Sequence, residues 1–265
     1  MKVALLISTY NWPEALNVVL KSVTEQSQLP DEILIADDGS GPETKAVIEN
    51  FKKASSIPVT HYWHEDKGFR KSSVLNKTLA LSNSDYIIQV DGDCILHKDF
   101  IKDHIEHAGK GVYLFGSRVN IKPESVAAVL TNKIFQFSVF SGNVKNKTRN
   151  LRIPFLRDMY KEKPHFSRKL RGCNLSFWKK DFVEVNGYNE DIEGWGREDS
   201  ELVLRMLNKG VKGKRLRYGG IVYHIYHPEK SKSNLDRNDR IQQLTISEKL
   251  SWCENGIDKY INKTA

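Results

Sequence analysis

The feature that most constrains the fold is a regular alternation of short apolar runs and longer helical stretches in the first half of the chain. Helical stretches begin at Pro13 and Glu43, and the apolar runs cover residues 3–8, 32–36, 58–63 and 87–90. Strands that alternate with helices of about 10 to 15 residues call for right-handed crossovers between parallel strands. The pattern therefore predicts an α/β fold with a mostly parallel sheet flanked by helices.

The fourth apolar run ends in two carboxylates, Asp91 and Asp93, which are separated by one glycine. Ligands of open α/β sheets bind where the strands end, so these carboxylates are expected to lie at a substrate site. Two carboxylates so close repel each other unless a cation lies between them, and hard oxygen ligands favour Mg²⁺ or Mn²⁺. The alternative is a plain Asp-Gly turn at a strand end.

Polar groups also follow the first two strands. Thr9, Tyr10 and Asn11 follow the first, and Asp38 follows the second. At one sheet edge these groups could hold a nucleotide, with a ring for the base and a carboxylate for a base or ribose hydrogen. The glycine patterns of a dinucleotide fold and of a P-loop are both absent from the sequence.

Phosphates would then be bound by a metal and by cations, for which Arg70 and Lys71 are candidates before the fourth strand. The alternative for this pair is solvated surface charge.

In the second half, Glu198 and Asp199 open a helical stretch, and Trp195 and Gly196 precede it. An aromatic ring beside flexible glycines suits a sugar, and a carboxylate near an acceptor hydroxyl suits a general base. Acids that cap a helix and a Trp that packs in the core are the alternatives. A last strand is expected over residues 218–223, with His224 at its end and His227 three residues later.

Residues 118–171 contain thirteen Lys and Arg against three Asp and Glu, whereas the whole chain has a net charge of +8. Aromatic residues accompany this charge, which suits an anionic membrane face or a lipid-diphosphate acceptor. We therefore expect a nucleotide-binding half at 1–117, a basic insertion at 118–171 that forms a mobile flap, and a second half at 172–265 that carries Trp195, Glu198 and Asp199. A solvated insertion is the alternative.

Apolar runs in the sequence are too short for a membrane span or for a signal-peptide core. The expected location is cytoplasmic, with peripheral attachment at the inner face of the membrane through the basic insertion. Nucleic acid would give the same basic signature, but no nucleic-acid-binding motif accompanies it and the carboxylates elsewhere would repel a polyanion. We expect no nucleic-acid partner.

Five motifs in order resemble the family 2 inverting glycosyltransferases of the GT-A fold, which is Rossmann-like. They lie at residues 8–11, 37–40, 68–70 and 91–93, and at 172–176 together with 193–199. The segments 172–176 and 193–199 resemble the galactosyl- and N-acetylgalactosaminyltransferase group, which includes bacterial chondroitin polymerases. The resemblance spans nearly the whole chain except about 118–170. It implies a single domain, a UDP-sugar donor and Mn²⁺ or Mg²⁺.

By this resemblance, Asp38 contacts uracil, Asp91 contacts the ribose and Asp93 binds the metal. A histidine after the last strand completes the metal site in the family, and His224 matches it best, with His227 as the alternative. The context of Trp195 favours Asp199 as the general base and places Glu198 at acceptor or sugar hydroxyls.

The predicted activity is metal-dependent, inverting transfer of a hexose, such as Gal or GalNAc, to a glycan or lipid-linked glycan in surface polysaccharide synthesis. A nucleotidyltransferase that acts on sugar phosphates, and a nucleic-acid-binding protein that uses the basic segment, are the alternative functions.

Overall fold

Strands and helices alternate through the first third of the computed structural model, which describes residues 1–228 and 232–261. The strands, in chain order, are β1 (Val3–Thr9), β2 (Glu32–Asp37), β3 (Val59–Trp63), β4 (Tyr86–Asp91), β5 (Cys94–Leu96), β6 (Val112–Phe115), β7 (Ser117–Ile121), β8 (Val144–Lys145), β9 (Asn174–Trp178), β10 (Lys212–Arg215) and β11 (Ile221–His224). The α-helices are α1 (Pro13–Thr24), α2 (Pro42–Ala54), α3 (Lys71–Ala80), α4 (Phe100–Glu106), α5 (Val126–Thr131), α6 (Pro154–Asp158), α7 (Lys179–Glu184), α8 (Glu198–Asn208), α9 (Leu235–Ser247) and α10 (Asp258–Ile261). The predicted α/β class and the first four strands are confirmed.

Seven strands form the large sheet in the order β10-β6-β9-β4-β1-β2-β3. β1 pairs in parallel with β2 and with β4, and β2 pairs in parallel with β3. β9 is antiparallel to both of its neighbours, β4 and β6. Because β9 runs the opposite way, its amino end lies at the same edge as the carboxyl ends of β1, β2 and β4.

The central strands are buried on both faces. Leu5 and Ile7 of β1 belong to one apolar cluster, and Ala4 and Leu6 belong to another, all of them fully buried. Successive side chains of a strand point to opposite faces, so a strand covered on both sides needs a continuous apolar run. This requirement explains why apolar and polar residues do not alternate along β1.

A second, four-stranded sheet has the order β5-β11-β7-β8. β11 pairs in parallel with β7 and antiparallel with β5, which brings His224 opposite Cys94. The prediction of a strand over 218–223 was wrong at both ends. Tyr218 and Gly220 have φ of 66° and 50°, outside the strand region, so β11 begins at Ile221 and extends through His224.

The basic segment 118–171 contributes to this second sheet. Most of β7 and all of β8 lie within it, together with short 3₁₀ turns and the helices α5 and α6. Arg152 and Arg157 of this segment form ion pairs with Asp103 of α4, whose side chain is fully buried. These contacts fix the middle of the segment to the body of the protein.

Candidate functional site

The polar groups predicted from strand ends meet at one edge of the large sheet. Asp91 ends β4 and lies opposite Ser8 of β1, while Thr9 lies opposite Asp37 of β2. The Thr9 carbonyl accepts a hydrogen bond from the Asp38 amide at 3.1 Å. Parallel strands that end together thus bring the first two polar loops into contact.

The loops after β1 and β2 are also joined through Asn11. Its amide donates to the Ser40 hydroxyl at 2.9 Å, and its side-chain oxygen accepts from the Gly41 amide at 2.8 Å. The neighbouring Tyr10 donates its hydroxyl to Asp66 at 2.8 Å and leaves 41% of its surface exposed. This arrangement leaves an aromatic ring accessible at the rim of the site.

Asp38 is buried and binds the loop that follows β3. One carboxylate oxygen lies 2.7 Å from the His64 ring nitrogen, and the other accepts from the Arg70 amide at 2.9 Å. Each carboxylate oxygen accepts about two hydrogen bonds, so both oxygens keep capacity for a ligand. Asp38 therefore both fixes this loop and faces the site.

The side chain of Arg70 turns toward the carbonyl of Glu65, to which it donates. Its Nε is buried without a partner in the structure. Arg70 also lines the cleft that contains Trp195. Arg70 therefore lies between the loop that follows β3 and the cleft that contains Trp195.

Lys71, at the start of α3, binds the carboxylate of Asp91. Its Nζ lies 2.8 Å from Asp91 Oδ1 and 3.8 Å from Glu198 Oε1, and Ser8 donates to the same Asp91 oxygen at 2.8 Å. Lys71 therefore neutralises Asp91 directly. This differs from the sequence interpretation in which Asp91 and Asp93 face one common cation and Lys71 faces phosphates.

Asp93 lies instead between two histidines. Its Oδ2 is 3.6 Å from His224 Nε2 and 3.2 Å from His227 Nε2, and the three candidate ligand atoms lie within 4.8 Å of one another. The sequence left His224 and His227 as alternatives. The structure brings both to Asp93.

The ionisation of this trio fits a divalent cation. Burial opposes the charge on Asp93, but its bond to His227 and the nearby histidines outweigh burial and lower its pKa. Burial also lowers the pKa of His224, which favours the neutral imidazole that binds metals. One carboxylate and two imidazoles suit Mn²⁺, and they are also compatible with Mg²⁺ completed by phosphate oxygens.

Asp199 lies in the first turn of α8 and is held by a buried polar network. Its Oδ1 accepts from Gln89 at 3.3 Å and from the Tyr188 hydroxyl at 3.1 Å. A Cβ added to Gly172 would lie 1.6 Å from Asp199 Oδ2, so the carboxylate occupies the space that any larger residue there would need. These contacts fix the orientation of Asp199.

The helix begins at Glu198 because the chain before it cannot be helical. Gly196 and Arg197 have φ of 101° and 80°. Three acids, Glu198, Asp199 and Glu201, lie in the first turn, where the helix dipole favours negative charge. The sequence pattern thus places two carboxylates at a buried helix start.

Burial and mutual repulsion oppose the ionisation of these carboxylates. Burial, the charge of Asp199 and the charge of Asp91 raise the pKa of Glu198 to about 7, although Lys71 opposes the shift. Burial also raises the pKa of Asp199, again against the effect of Lys71. The three carboxylates in turn outweigh burial and raise the pKa of Lys71 well above its usual value. Lys71 is therefore close enough to attract three carboxylates, those of Asp91, Glu198 and Asp199.

A cleft of about 400 Å³ opens beside α8, and Trp195, with 42% of its surface exposed, lines it. Gly194 donates its amide to the Phe69 carbonyl at 3.1 Å, which joins the two sides of the cleft. The Lys232 ammonium lies 5.6 Å from the centre of the Trp195 ring. Trp195 is therefore a surface platform and not a core residue.

The sequence interpretation missed Gln89 and Tyr188. Gln89 is fully buried in β4, and the single hydroxyl proton of Tyr188 is shared between Gln89 Oε1 at 2.8 Å and Asp199 Oδ1 at 3.1 Å. A glutamine inside an otherwise apolar strand was the available signal, because a buried polar group requires a hydrogen-bonding partner. The identity of that partner depends on the position of β9 and α8 and could not be deduced locally.

Comparison with known protein families gives two matches. The model for glycosyl transferase family 2 matches residues 4–174, and a model described as the N-terminal domain of galactosyltransferase matches residues 155–228. The two matches together include every residue of the strand-end site, the Asp93 cluster and the α8 carboxylates.

Relatives whose names state a function have low sequence identity to this chain. The chondroitin synthase of Pasteurella multocida is 21% identical over 94% of this chain and 27% of its own length. The validoxylamine A glucosyltransferase of Streptomyces hygroscopicus is 24% identical over 78% of this chain and 48% of its own length. The chain thus spans about a quarter to a half of the length of these relatives.

Two solved structures share the fold. The mannosyltransferase PcManGT of Pyrobaculum calidifontis, solved with GDP-Man and Mn²⁺, superposes with a TM-score of 0.63 at 14% identity, covering 100% of this chain and 69% of that chain. TarS 1-349 of S. aureus, solved with UDP, superposes with a TM-score of 0.62 at 15% identity, covering 93% of this chain and 65% of that chain.

Proposed function

The chain belongs to glycosyl transferase family 2, and on that basis we propose that it transfers a hexose from a UDP-sugar to an acceptor hydroxyl, with inversion. The observation that carries the proposal is the joining of two sites by Lys71. Lys71 binds Asp91, beside the Asp93 cluster, and approaches Glu198, beside Asp199. Inverting transfer requires these two functions, stabilisation of a leaving diphosphate and a base for the acceptor, on opposite faces of one sugar.

The donor nucleotide binds at the ends of β1, β2 and β4. The exposed ring of Tyr10 stacks on uracil, and Asp38 accepts a hydrogen bond from it. Thr9 and Asn11 hold the loop, and Asp91 accepts from the ribose. Support comes from the free accepting capacity of Asp38 and from the solved fold relative that contains UDP.

Asp93, His224 and His227 would hold Mn²⁺ or Mg²⁺. A bound ion supplies positive charge to the diphosphate leaving group. The choice of these ligands is supported by their mutual proximity and by the neutral state that burial favours for His224. The fold relative solved with GDP-Man contains Mn²⁺, which agrees with the use of a divalent ion.

Asp199 acts as the general base. It takes the proton of the acceptor hydroxyl while that oxygen bonds to the anomeric carbon, and the bond from this carbon to the phosphate oxygen breaks to release UDP. Gln89 and Tyr188 hold Asp199 in place. Because the pKa of Glu198 is about 7, its protonated form is well populated near neutrality and can donate to a sugar hydroxyl.

The acceptor sugar lies in the cleft against Trp195 and Gly196. One relative whose name states a lipid-linked glycan substrate is the GalNAc(5)-diNAcBac-PP-undecaprenol beta-1,3-glucosyltransferase of Campylobacter jejuni, 21% identical over 73% of this chain and 56% of its own length. We extend that acceptor class to this chain, with Gal, GalNAc or a related hexose as the donor sugar, in surface polysaccharide synthesis.

The basic segment supplies peripheral attachment to an anionic membrane face. Phe140 and Phe155 expose 87% and 76% of their surface among the basic residues. In the described part of the chain, no helix combines the length and the apolar character that crossing a bilayer requires. Arg152 belongs to the basic segment but binds Asp99 and Asp103 internally, so its charge is not available to the membrane face.

The test is a panel of UDP-sugars incubated with the protein, with and without Mn²⁺. One donor should be slowly hydrolysed to UDP and free sugar, only with the metal, and Asp93→Asn should abolish the reaction. Release of sugar 1-phosphate or consumption of pyrophosphate would instead indicate a nucleotidyltransferase. Hydrolysis that persists in EDTA would contradict the assigned metal site.

A further inference from the structure

The arginines of the basic segment divide into two groups. Arg152 and Arg157 are neutralised by carboxylates of α4 and its neighbours. A second group, Arg118, Arg149 and Arg171, which we call the arginine cluster, has no such partner. Among the described residues the arginine ion pairs belong to other positions, namely Arg152, Arg157, Arg197, Arg205 and Arg237.

The fold brings the arginine cluster together from three separate segments. Arg118 lies on β7, and Arg149 in a 3₁₀ turn donates its Nη1 to the Arg118 carbonyl at 3.3 Å. Arg171 directly precedes Gly172, the residue against which the Asp199 carboxylate packs. Asn174, three residues after Arg171, donates its side-chain amide to the carbonyl of Ser117, the neighbour of Arg118, at 3.1 Å, so this segment lies against β7. Burial and the nearby charges of Arg118 and Arg149 lower the pKa of Arg171.

The cluster also borders the Asp93 site. Arg118 and Asn120 are two residues apart on β7, so they share a face, and Asn120 lies opposite His224 on β11. The arginine cluster therefore borders the Asp93 cluster through β7 and, through Arg171, the Gly172 loop against which Asp199 packs.

More positive charge surrounds the cluster. Arg215, at the end of β10, has a buried Nε without a partner, and its charge is opposed by Arg217 and Arg149. Like charges held together without a counterion are unfavourable, so a fold that retains them has a use for an anion. A guanidinium fork matches the oxygens of phosphate in a bidentate manner.

We propose that Arg118, Arg149 and Arg171 bind a phosphate or diphosphate ester carried by the acceptor. The inference rests on the proposed function and specifies its acceptor. The donor diphosphate already has the Asp93 cluster, whereas Arg171 adjoins the Gly172 loop on the side of the proposed base. An acceptor whose hydroxyl reaches Asp199 would thus place a neighbouring phosphate on the arginine cluster.

The test is binding of pyrophosphate to the full chain by calorimetry in metal-free buffer, first without UDP and then with UDP kept saturating. Wild type should bind, and Arg118→Gln, Arg149→Gln and Arg171→Gln should each weaken binding about ten-fold, because each removes a charge-assisted bond. Farnesyl diphosphate and glucose 6-phosphate, titrated in parallel, distinguish a lipid diphosphate from a sugar phosphate. A triple variant of exposed lysines on α2, K45Q/K52Q/K53Q, removes three charges, more than any single arginine variant, and should still bind like wild type.

Three outcomes would overturn the site. They are an absence of phosphate binding in wild type, equal loss in the α2 variant, and competition between pyrophosphate and UDP, which would assign the cluster to the donor. UDP-sugar hydrolysis is measured on the same preparations. If wild type hydrolyses a UDP-sugar but binds no pyrophosphate, the anion site fails alone, whereas binding without any hydrolysis counts against the proposed function alone.

Discussion

Replacing Glu198 with Gln should stabilise the protein at alkaline pH. The Glu198 carboxyl is buried beside Asp199 and Asp91, and these surroundings raise its pKa from 4.5 to about 7. An acid with a raised pKa in the folded state binds more protons when folded than when unfolded. Stability is therefore lost as pH rises from the unfolded to the folded pKa, that is, from 4.5 to about 7.

The size of the effect follows from the shift. One pKa unit corresponds to about 1.4 kcal/mol, so the shift from 4.5 to about 7 corresponds to a penalty of about 3 kcal/mol above the folded pKa. At pH 5.5 the same two pKa values leave a penalty of only about 1 kcal/mol. Glutamine is neutral at every pH and keeps the shape, so Glu198→Gln removes the penalty. Lys71 retains its 2.8 Å contact with Asp91 in the variant.

The assay is urea unfolding of wild type and Glu198→Gln at pH 5.5 and pH 8. The variant should be the more stable protein, and its advantage should grow by about 2 kcal/mol between these two pH values. Glu254→Gln, at an exposed loop position, serves as the control and should give a difference that does not change with pH. The reasoning would be refuted if wild type were as stable as Glu198→Gln at pH 8. It would also be refuted if the difference in free energy of unfolding between the two proteins were the same at pH 5.5 and pH 8.

Four other outcomes are expected. Asp93→Asn should lower Mn²⁺ affinity, measured by electron paramagnetic resonance, by roughly 10-fold or more because a charged ligand is lost; unchanged affinity would place the metal elsewhere. Asp199→Asn should reduce kcat about 10²- to 10⁴-fold and leave the donor KM unchanged; a rise in donor KM would make it a donor-binding residue. Gly172→Ala should lower both activity and the free energy of unfolding, since its methyl group would lie 1.6 Å from Asp199 Oδ2, and full activity would show that the loop can move. Neutralising Lys145 and Lys147 together should weaken sedimentation with anionic vesicles by about 2 kcal/mol at low salt, with neutral vesicles as the control, and an absence of wild-type binding would refute membrane attachment.

Local patterns sufficed for the first half of the fold. The apolar runs of β1, β2 and β4 are buried on both faces, whereas β3 is the edge strand and is only partly buried. Pro13 opens α1 as predicted. The prediction set the second helix to start at Glu43, one residue after the observed start at Pro42. These features depend on neighbouring residues alone. The antiparallel insertion of β9 between β4 and β6 depends on pairing between distant segments, which apolar periodicity does not encode.

The same distinction applies to the site. Thr9, Asp38 and Asp91 could be predicted to meet because parallel strands end at a common edge. The partner of Lys71 could not be predicted, because a lysine at a helix start can face phosphate, solvent or a carboxylate equally well. Its choice of Asp91 becomes visible only when α3, β4 and α8 are packed together.

The position of Lys71 has a consequence for how donor and acceptor sites communicate. Asp91 is proposed to contact the donor ribose, and Glu198 is proposed to contact the acceptor, yet both share one ammonium group. A donor that takes hydrogen-bonding capacity from Asp91 would free Lys71 to interact more with Glu198 and Asp199, which lowers their pKa values and favours the ionised base. Donor binding would thereby favour the ionised form of Asp199, which can accept the proton of the acceptor hydroxyl. The carboxylates that destabilise the protein without substrates would then be the groups that interact with the bound donor and acceptor.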